Sequence, residues 1–223
     1  MTSSLDRLAQ RLAPGQQLGW HSHDAPYAAI VLSGGYAEAG DGGRRKVEAG
    51  QVVVHSPFSA HGDRIGARGA VVVNITLPVG LSLRLASGVV DDPEEVVRAA
   101  ADDPAALAAL VRAETAPHDD DLPDRLAAAL GASQELGLAD WAAMQGVSAR
   151  SVTRAFAAAF GIAPAHYRWR VRARGAWRAI VTGDEPLAGI AHDWGFADQP
   201  HMTRAVRTLT GQSPMTWRRS LSD

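Results

Sequence analysis

Apolar and polar positions change period partway along the chain. Up to about residue 80, apolar residues come as short, partly alternating runs: Tyr27 to Leu32, Tyr36 to Ala39, Lys46 to Glu48, Gln51 to His55 and Ala70 to Leu77. Turn formers separate them at Ser33-Gly34-Gly35, Gly40-Asp41-Gly42-Gly43, Gly50 and Ser56-Pro57. Closely spaced short strands of this kind predict an antiparallel sandwich or barrel, with room for six to eight strands between Leu18 and Leu77. After Gly88 the period becomes helical. Asp92-Pro93-Glu94-Glu95 and Asp103-Pro104 each place a capping Asp before Pro at a first helical position. From Leu122 the pattern is helical almost to the end. The expected organisation is α+β: a β domain over residues 1–85, a helical linker over 86–120 and an all-α domain over 121–223. Leu107, Leu110 and Val111 form one apolar stripe, which serves equally well as a dimer contact or as a cover for the β domain.

The helical part repeats itself. Leu138-Ala139-Asp140-Trp141-Ala142-Ala143-Met144-Gln145-Gly146-Val147 aligns with Leu187-Ala188-Gly189-Ile190-Ala191-His192-Asp193-Trp194-Gly195-Phe196. Thr153-Arg154-Ala155-Phe156 then aligns with Thr203-Arg204-Ala205-Val206, and Gly161-Ile162-Ala163-Pro164 with Gly211-Gln212-Ser213-Pro214. Each copy has a short amphipathic helix, a Gly turn, an apolar plug (Val147 or Phe196) and a second helix with a polar N-terminal end. That is the layout of a helix-turn-helix, whose second helix enters the DNA major groove and presents its first turns to base edges. A purely structural helical array would not require the repeated Gly turn or an Arg repeated at one helix position.

Charge sharpens this reading. The chain's formal charge of −2 is unevenly spread: residues 1–132 hold 11 Lys and Arg against 17 Asp and Glu, and residues 133–223 hold 11 against 7. A basic second half suits a polyanionic partner. The absence of cysteine excludes disulfides, thiolate nucleophiles and Cys-ligated metal. No signal-peptide run opens the sequence, and the apolar stretch from Ala70 to Leu85 is broken by Asn74, Pro78, Gly80 and Arg84, so the expected location is the cytoplasm.

From Leu122 to Arg219 the sequence resembles the AraC/XylS family of transcription regulators, most closely over Ala188 to Ala205. The resemblance implies two tandem helix-turn-helix units on a joining helix, Pro164 to Thr182, which carries Arg168, Arg170, Arg172, Arg174 and Arg178. The units would address successive major-groove faces about 34 Å apart. Carried over by position, the base-reading residues are Arg150, Ser151, Thr153 and Arg154 in the first unit, and Gln199, Pro200, His201 and Arg204 in the second. Arg154 and Arg204 have a structural alternative, pairing with an acidic neighbour. Arg207, Arg218 and Arg219 are expected to hold phosphates. Two departures stand out: Ala157 and Ala158 follow Phe156 where a basic residue is common, and Thr210 replaces an aromatic.

The N-terminal half resembles a cupin barrel through His21-Ser22-His23, Pro26-Tyr27, Gly34-Gly35, Gly50, Pro57 and His61. In this family such a barrel implies an effector-binding domain, here with His21, His23, Tyr27, His55 and His61 as candidate contacts. His21, His23 and His61 also match a metal cupin's histidine frame, and three imidazoles suit zinc, copper, iron or nickel. Tyr27-Ala28-Ala29 occupy the region where a carboxylate normally joins them, and no carboxylate is expected beside these histidines. The identity of any metal or cofactor is left open. The partners expected are double-stranded DNA, a small effector, a second copy of the chain and, for an activator, RNA polymerase. A non-enzymatic regulator is expected; the alternative is a cupin dioxygenase or isomerase fused to a helical binding module.

Overall fold

A computed structural model describes residues 8–78, 86–113 and 121–220. The chain divides into two compact units, 1–119 and 120–223. The expected linker turn at Ala116 to Asp121 lies almost wholly outside the described residues. Among the described residues, no helix is long and apolar enough to cross a membrane.

The first unit is an eight-stranded antiparallel sheet: β1 (Ala9–Leu12), β2 (Gln17–Ser22), β3 (Tyr27–Gly40), β4 (Gly43–Glu48), β5 (Gln51–His55), β6 (Ala60–Thr76), β7 (Ser87–Val89) and β8 (Arg112–Ala113). The order is β1-β6-β3-β5-β7-β8, with β2 added to β6 and β4 to β3. The two long strands, β3 and β6, pair along both their halves and break register between Val31 and Tyr36. Gly34-Gly35, expected to end a strand, instead bends a continuous one. At this corner Gly34 adopts φ +71° opposite Gly69 at φ +73°, and a Cβ on Gly34 would lie 2.0 Å from the Gly69 carbonyl oxygen. Only a residue without a side chain permits the approach.

The bend folds the sheet onto itself. Tyr27, Ala29, Val31, Val53 and Val72 from one half share a core with Tyr36, Val47 and Ile65 from the other. The alternate positions, Ala28, Ile30, Val52, Val73 and Ile75, face outward and are covered by Val96, Val97 and Ala100 of α1 (Pro93–Asp102), Leu107 of α2 (Leu107–Leu110) and Val111. Asp92 caps α1 by accepting from the Glu94 and Glu95 amides, with Pro93 at the first helical position.

The segment from residue 86, expected as a linker, is therefore part of the first unit: β7 extends the sheet beyond β5 and α1 seals its outer face. The Leu107–Val111 stripe follows suit. Leu107 and Val111 are buried in that core, and only Leu110 is exposed.

The second unit contains α3 (Leu122–Ala132), α4 (Leu138–Met144), α5 (Ala149–Phe160), α6 (Pro164–Thr182), α7 (Leu187–Asp193), α8 (Gln199–Thr210) and α9 (Pro214–Arg219). The sequence repeat is also a structural one. Helices α4 and α5 match α7 and α8, with buried Val152 and Phe156 of α5 answering to buried Met202 and Val206 of α8.

Candidate nucleic-acid interface and a buried histidine cluster

The two second helices begin and end alike. Ser148 caps α5 by accepting from the Ser151 amide, and Asp198 caps α8 by accepting from the His201 amide. Each helix stops at a left-handed glycine, Gly161 at φ 75° and Gly211 at φ 77°. The turns before them pass through Gly146 and Gly195, also at positive φ. In both copies the chain returns to the core through a backbone hydrogen bond after the turn, the Val147 amide donating to the Ala142 carbonyl and the Phe196 amide to the Ala191 carbonyl.

Polar side chains follow these caps at the start of each helix, and the Ser151 hydroxyl also shares a 2.9 Å hydrogen bond with that of Ser148. Arg150, Ser151 and Arg154 are exposed on α5, with Thr153 half-buried and its hydroxyl donating to the Ala149 carbonyl. Gln199, Pro200, His201, Arg204 and Arg207 are exposed on α8. Neither Arg154 nor Arg204 forms an ion pair or hydrogen bond among the described residues, so the structural alternative for these two arginines has no partner there. Their guanidinium groups sit on the solvent side of the same turn in each copy.

The copies diverge at their ends. In the first, Phe156 and Phe160 stack with ring centroids 4.3 Å apart, and Tyr167 packs edge-on against both. In the second, Thr210 replaces Phe160 and accepts a 2.9 Å hydrogen bond from the Trp217 indole. A polar tie thus stands in for the aromatic stack.

Three of the α6 arginines are engaged within the fold. Arg170 is buried. Arg168 donates to the Leu136 carbonyl ahead of α4. Arg172 donates from Nε to the Gln134 side-chain oxygen (3.2 Å), from Nη2 to the Gln134 carbonyl and from Nη1 to the Gly195 carbonyl (3.1 Å). One guanidinium therefore ties the approach to the first helix pair, α4–α5, to the turn of the second, α7–α8. Burial, followed by the charge of Arg168, pushes its pKa down. On the same helix Gly175 makes room for Trp194, whose ring atoms would lie 1.9–2.3 Å from a Cβ there.

In the first unit, strand register assembles the histidines. His21 on β2 pairs with His61 on β6, Glu38 on β3 with Asp63 on β6, and Tyr27 on β3 with His55 on β5. His23 lies just beyond the end of β2 and is exposed; His21 is half-buried; His55 and His61 are buried. Ring centroids separate His21 from His61 by 4.4 Å, His55 from His61 by 4.3 Å and Tyr27 from His55 by 4.6 Å. The Tyr27 hydroxyl lies 2.8 Å from His61 Nε2. All five candidate effector contacts thus fall in one cluster, including His55.

Carboxylates do join them, contrary to the sequence expectation. Asp63 Oδ1 is 3.1 Å from His61 Nδ1, and Glu38 Oε2 is 3.6 Å from it. Glu38 also pairs with Arg45 through Oε1 at 3.2 Å. The usual motif position carries Tyr27; the acids come from the far halves of the long strands. Their signal was their phase: Tyr36, Glu38 and Gly40 alternate inward on β3, as do His61, Asp63 and Ile65 on β6.

Burial dominates the electrostatics here. It pushes the Glu38 carboxyl up and holds the His55 imidazole down at about 2. His23 is lowered by burial and then by His21 and His61. His61 is also opposed by burial, but its bond to Asp63 and the Glu38 charge outweigh that and raise it. Donor atoms of His21, His23 and His61 lie within 4.8 Å of one another, so the imidazoles of the cupin frame are close enough to share an ion.

Residues 141–220 match a family model described as a helix-turn-helix domain. Among solved structures, the chain is similar to an AraC-type transcriptional regulator from Chromobacterium violaceum (23% identity, 46% of this chain and 93% of that one, TM-score 0.42). It is also similar to the DNA-binding domain of AdpA, a global transcriptional factor, in complex with a target DNA (26%, 46% and 93%, 0.42). ToxT from Vibrio cholerae is similar along the chain (9%, 96% and 98%, 0.46). No curated protein matches. The matched residues take in nearly all of the duplicated helix pairs, α4–α5 and α7–α8, so the second unit carries a helix-turn-helix domain, and an antiparallel β unit precedes it in the chain.

Proposed function

We propose that the chain is a sequence-specific transcription regulator whose operator affinity is set by a small effector bound at the histidine cluster. The carrying observation is the pair of equivalent, unpaired arginines, Arg154 and Arg204, at matching exposed positions of α5 and α8. Arg150, Ser151 and Thr153 read bases beside the first, and Gln199, Pro200 and His201 beside the second. Arg207 and Arg219, exposed on α8 and α9, hold phosphates together with Arg218. Arg bridges guanine O6 and N7, and Gln suits adenine. His21, His23, Tyr27, His55 and His61 contact the effector, for which the gradient from exposed His23 to buried His55 provides a way in.

A duplex titration at several salt concentrations tests DNA recognition. A steep loss of affinity with salt, together with one strongly preferred site, is expected. Equal affinity for all duplexes would refute specific recognition. Effector control makes a second demand: operator DNA must change effector affinity by the factor with which effector changes operator affinity. Effector affinity that is identical with and without operator would refute it.

The carboxylates beside the histidines favour one competing reading, a metal-dependent cupin enzyme. Turnover of small phenols or sugars by the isolated protein, with no DNA preference, would support that reading over regulation.

A further inference from the structure

Three buried donors converge from three strands: Glu38 Oε2 from β3, His55 Nε2 from β5 and His61 Nδ1 from β6. Glu38 is 3% exposed and His55 5%. Glu38 Oε2 and His55 Nε2 face each other at 3.4 Å, yet neither has a hydrogen-bond partner. Two buried polar atoms left in this way are costly, and a cation between them satisfies both.

We infer that Glu38, His55 and His61 form a binding site for a divalent transition-metal ion of the zinc class. Bonds of about 2.0–2.2 Å at tetrahedral angles set neighbouring donors about 3.3–3.5 Å apart. The Glu38–His55 and Glu38–His61 separations are 3.4 and 3.6 Å. The third edge, His55 to His61, lies within 4.8 Å. The donor set of two imidazoles and one carboxylate suits zinc.

Arg45 occupies the other oxygen of Glu38 and turns Oε2 toward the ion. For His61 Nδ1 to bind, its proton moves to Nε2, where the Tyr27 oxygen, 2.8 Å away, accepts it. Asp63 Oδ1, 3.1 Å from Nδ1, gives up that hydrogen bond, and a water molecule supplies the fourth donor. This site differs from the His21–His23–His61 frame, since it shares only His61 with it. It shares His55 and His61 with the effector site proposed above but does not rest on effector control.

The test is made on the full chain without DNA, so its outcome is separate from that of the regulatory reading. Chelator-treated protein is titrated with Co2+, and four-coordinate binding is followed by its visible absorption. One Co2+ per chain is expected. The signal should vanish in Glu38→Gln, which preserves side-chain volume, and in His55→Gln, and persist in His21→Ala and His23→Ala. Circular dichroism confirms that each variant is folded. No four-coordinate signal in the parent chain would overturn the inference and leave a proton shared between Glu38 and His55. A signal lost with His21 or His23 but kept in folded His55→Gln would also overturn it, placing the ion in the outer frame.

Discussion

Replacing Arg172 with alanine distinguishes a brace between the two helix-turn-helix units from a contact to DNA. Its guanidinium makes three hydrogen bonds, two to Gln134 and one to the Gly195 carbonyl, and those residues belong to the approach to the α4–α5 pair and the turn of the α7–α8 pair. A net hydrogen bond contributes about 0.5–1.5 kcal/mol. Because Arg172 is half-buried and water reaches the vacated carbonyls, the low half of that range applies, about 1.5–3 kcal/mol for the three. For a unit of roughly a hundred residues this corresponds to a fall in Tm of about 6–15 °C. Five of the six tryptophans, at 141, 169, 177, 194 and 217, lie in the second unit, so fluorescence melting of the full chain reports on it. Arg172→Lys keeps the charge but loses the planar fork, and should recover about a third of the loss. On DNA, the parent chain should favour one spacing between half-sites. The alanine variant should bind single half-sites normally and tolerate altered spacings, because the units no longer hold each other in place. An unchanged melt with a salt slope lower by about one would refute the brace, since that is the behaviour of a lost phosphate contact.

Gly175→Ala gains about 1 kcal/mol of helix propensity but drives a methyl into the Trp194 ring, an overpacking cost of about 1–3 kcal/mol. A net loss of about 1 kcal/mol is expected in the same fluorescence melt, and a raised Tm would show that the ring moves aside freely. Gly34→Ala forces a side chain into a left-handed position against the Gly69 carbonyl and should destabilise the first unit by about 2–4 kcal/mol; a urea midpoint equal to the parent's would contradict the corner geometry. Arg204→Ala should lose about 1–3 kcal/mol of discrimination at one operator position, whereas Arg207→Ala should weaken all sequences alike and flatten the salt dependence. Both are read from binding to a panel of single-base operator variants, and the reverse pattern would exchange the two roles.

The second unit was legible in the sequence because its information is local. A helix-turn-helix is set by caps, turn glycines and apolar spacing within about twenty residues, and duplication states each of these twice. Ser148 and Asp198, or Val152 and Met202, carry out the same task at the same offset. What escaped was the use of the α6 arginines. Their alternating spacing in sequence places Arg168 and Arg172 on one side of the helix, but the partners they reach are carbonyl oxygens of Gln134, Leu136 and Gly195. Any residue type offers a carbonyl, so nothing in the sequence marks these positions as acceptors.

The β unit was legible as strands and misread as connections, for a reason that also hid the carboxylates. A glycine pair reads as a turn, and Gly34-Gly35 does relax the backbone; but in a strand paired on both edges the same freedom yields a bend that leaves the ladder continuous. Once β3 runs on through that bend to Gly40, its second half lies along the first half of β6, and Glu38 stands opposite Asp63 and Gly40 opposite His61. Had the strand ended at Gly34, Glu38 would have belonged to a separate hairpin with a free choice of face. Continuity fixes its phase to that of Tyr36, which is inward. The buried acid beside the histidines is thus a consequence of the bend: the Gly34–Gly69 contact that folds the sheet also delivers Glu38 to His55 and His61. A substitution that straightened the corner would therefore disperse the polar cluster even though it touches none of its members.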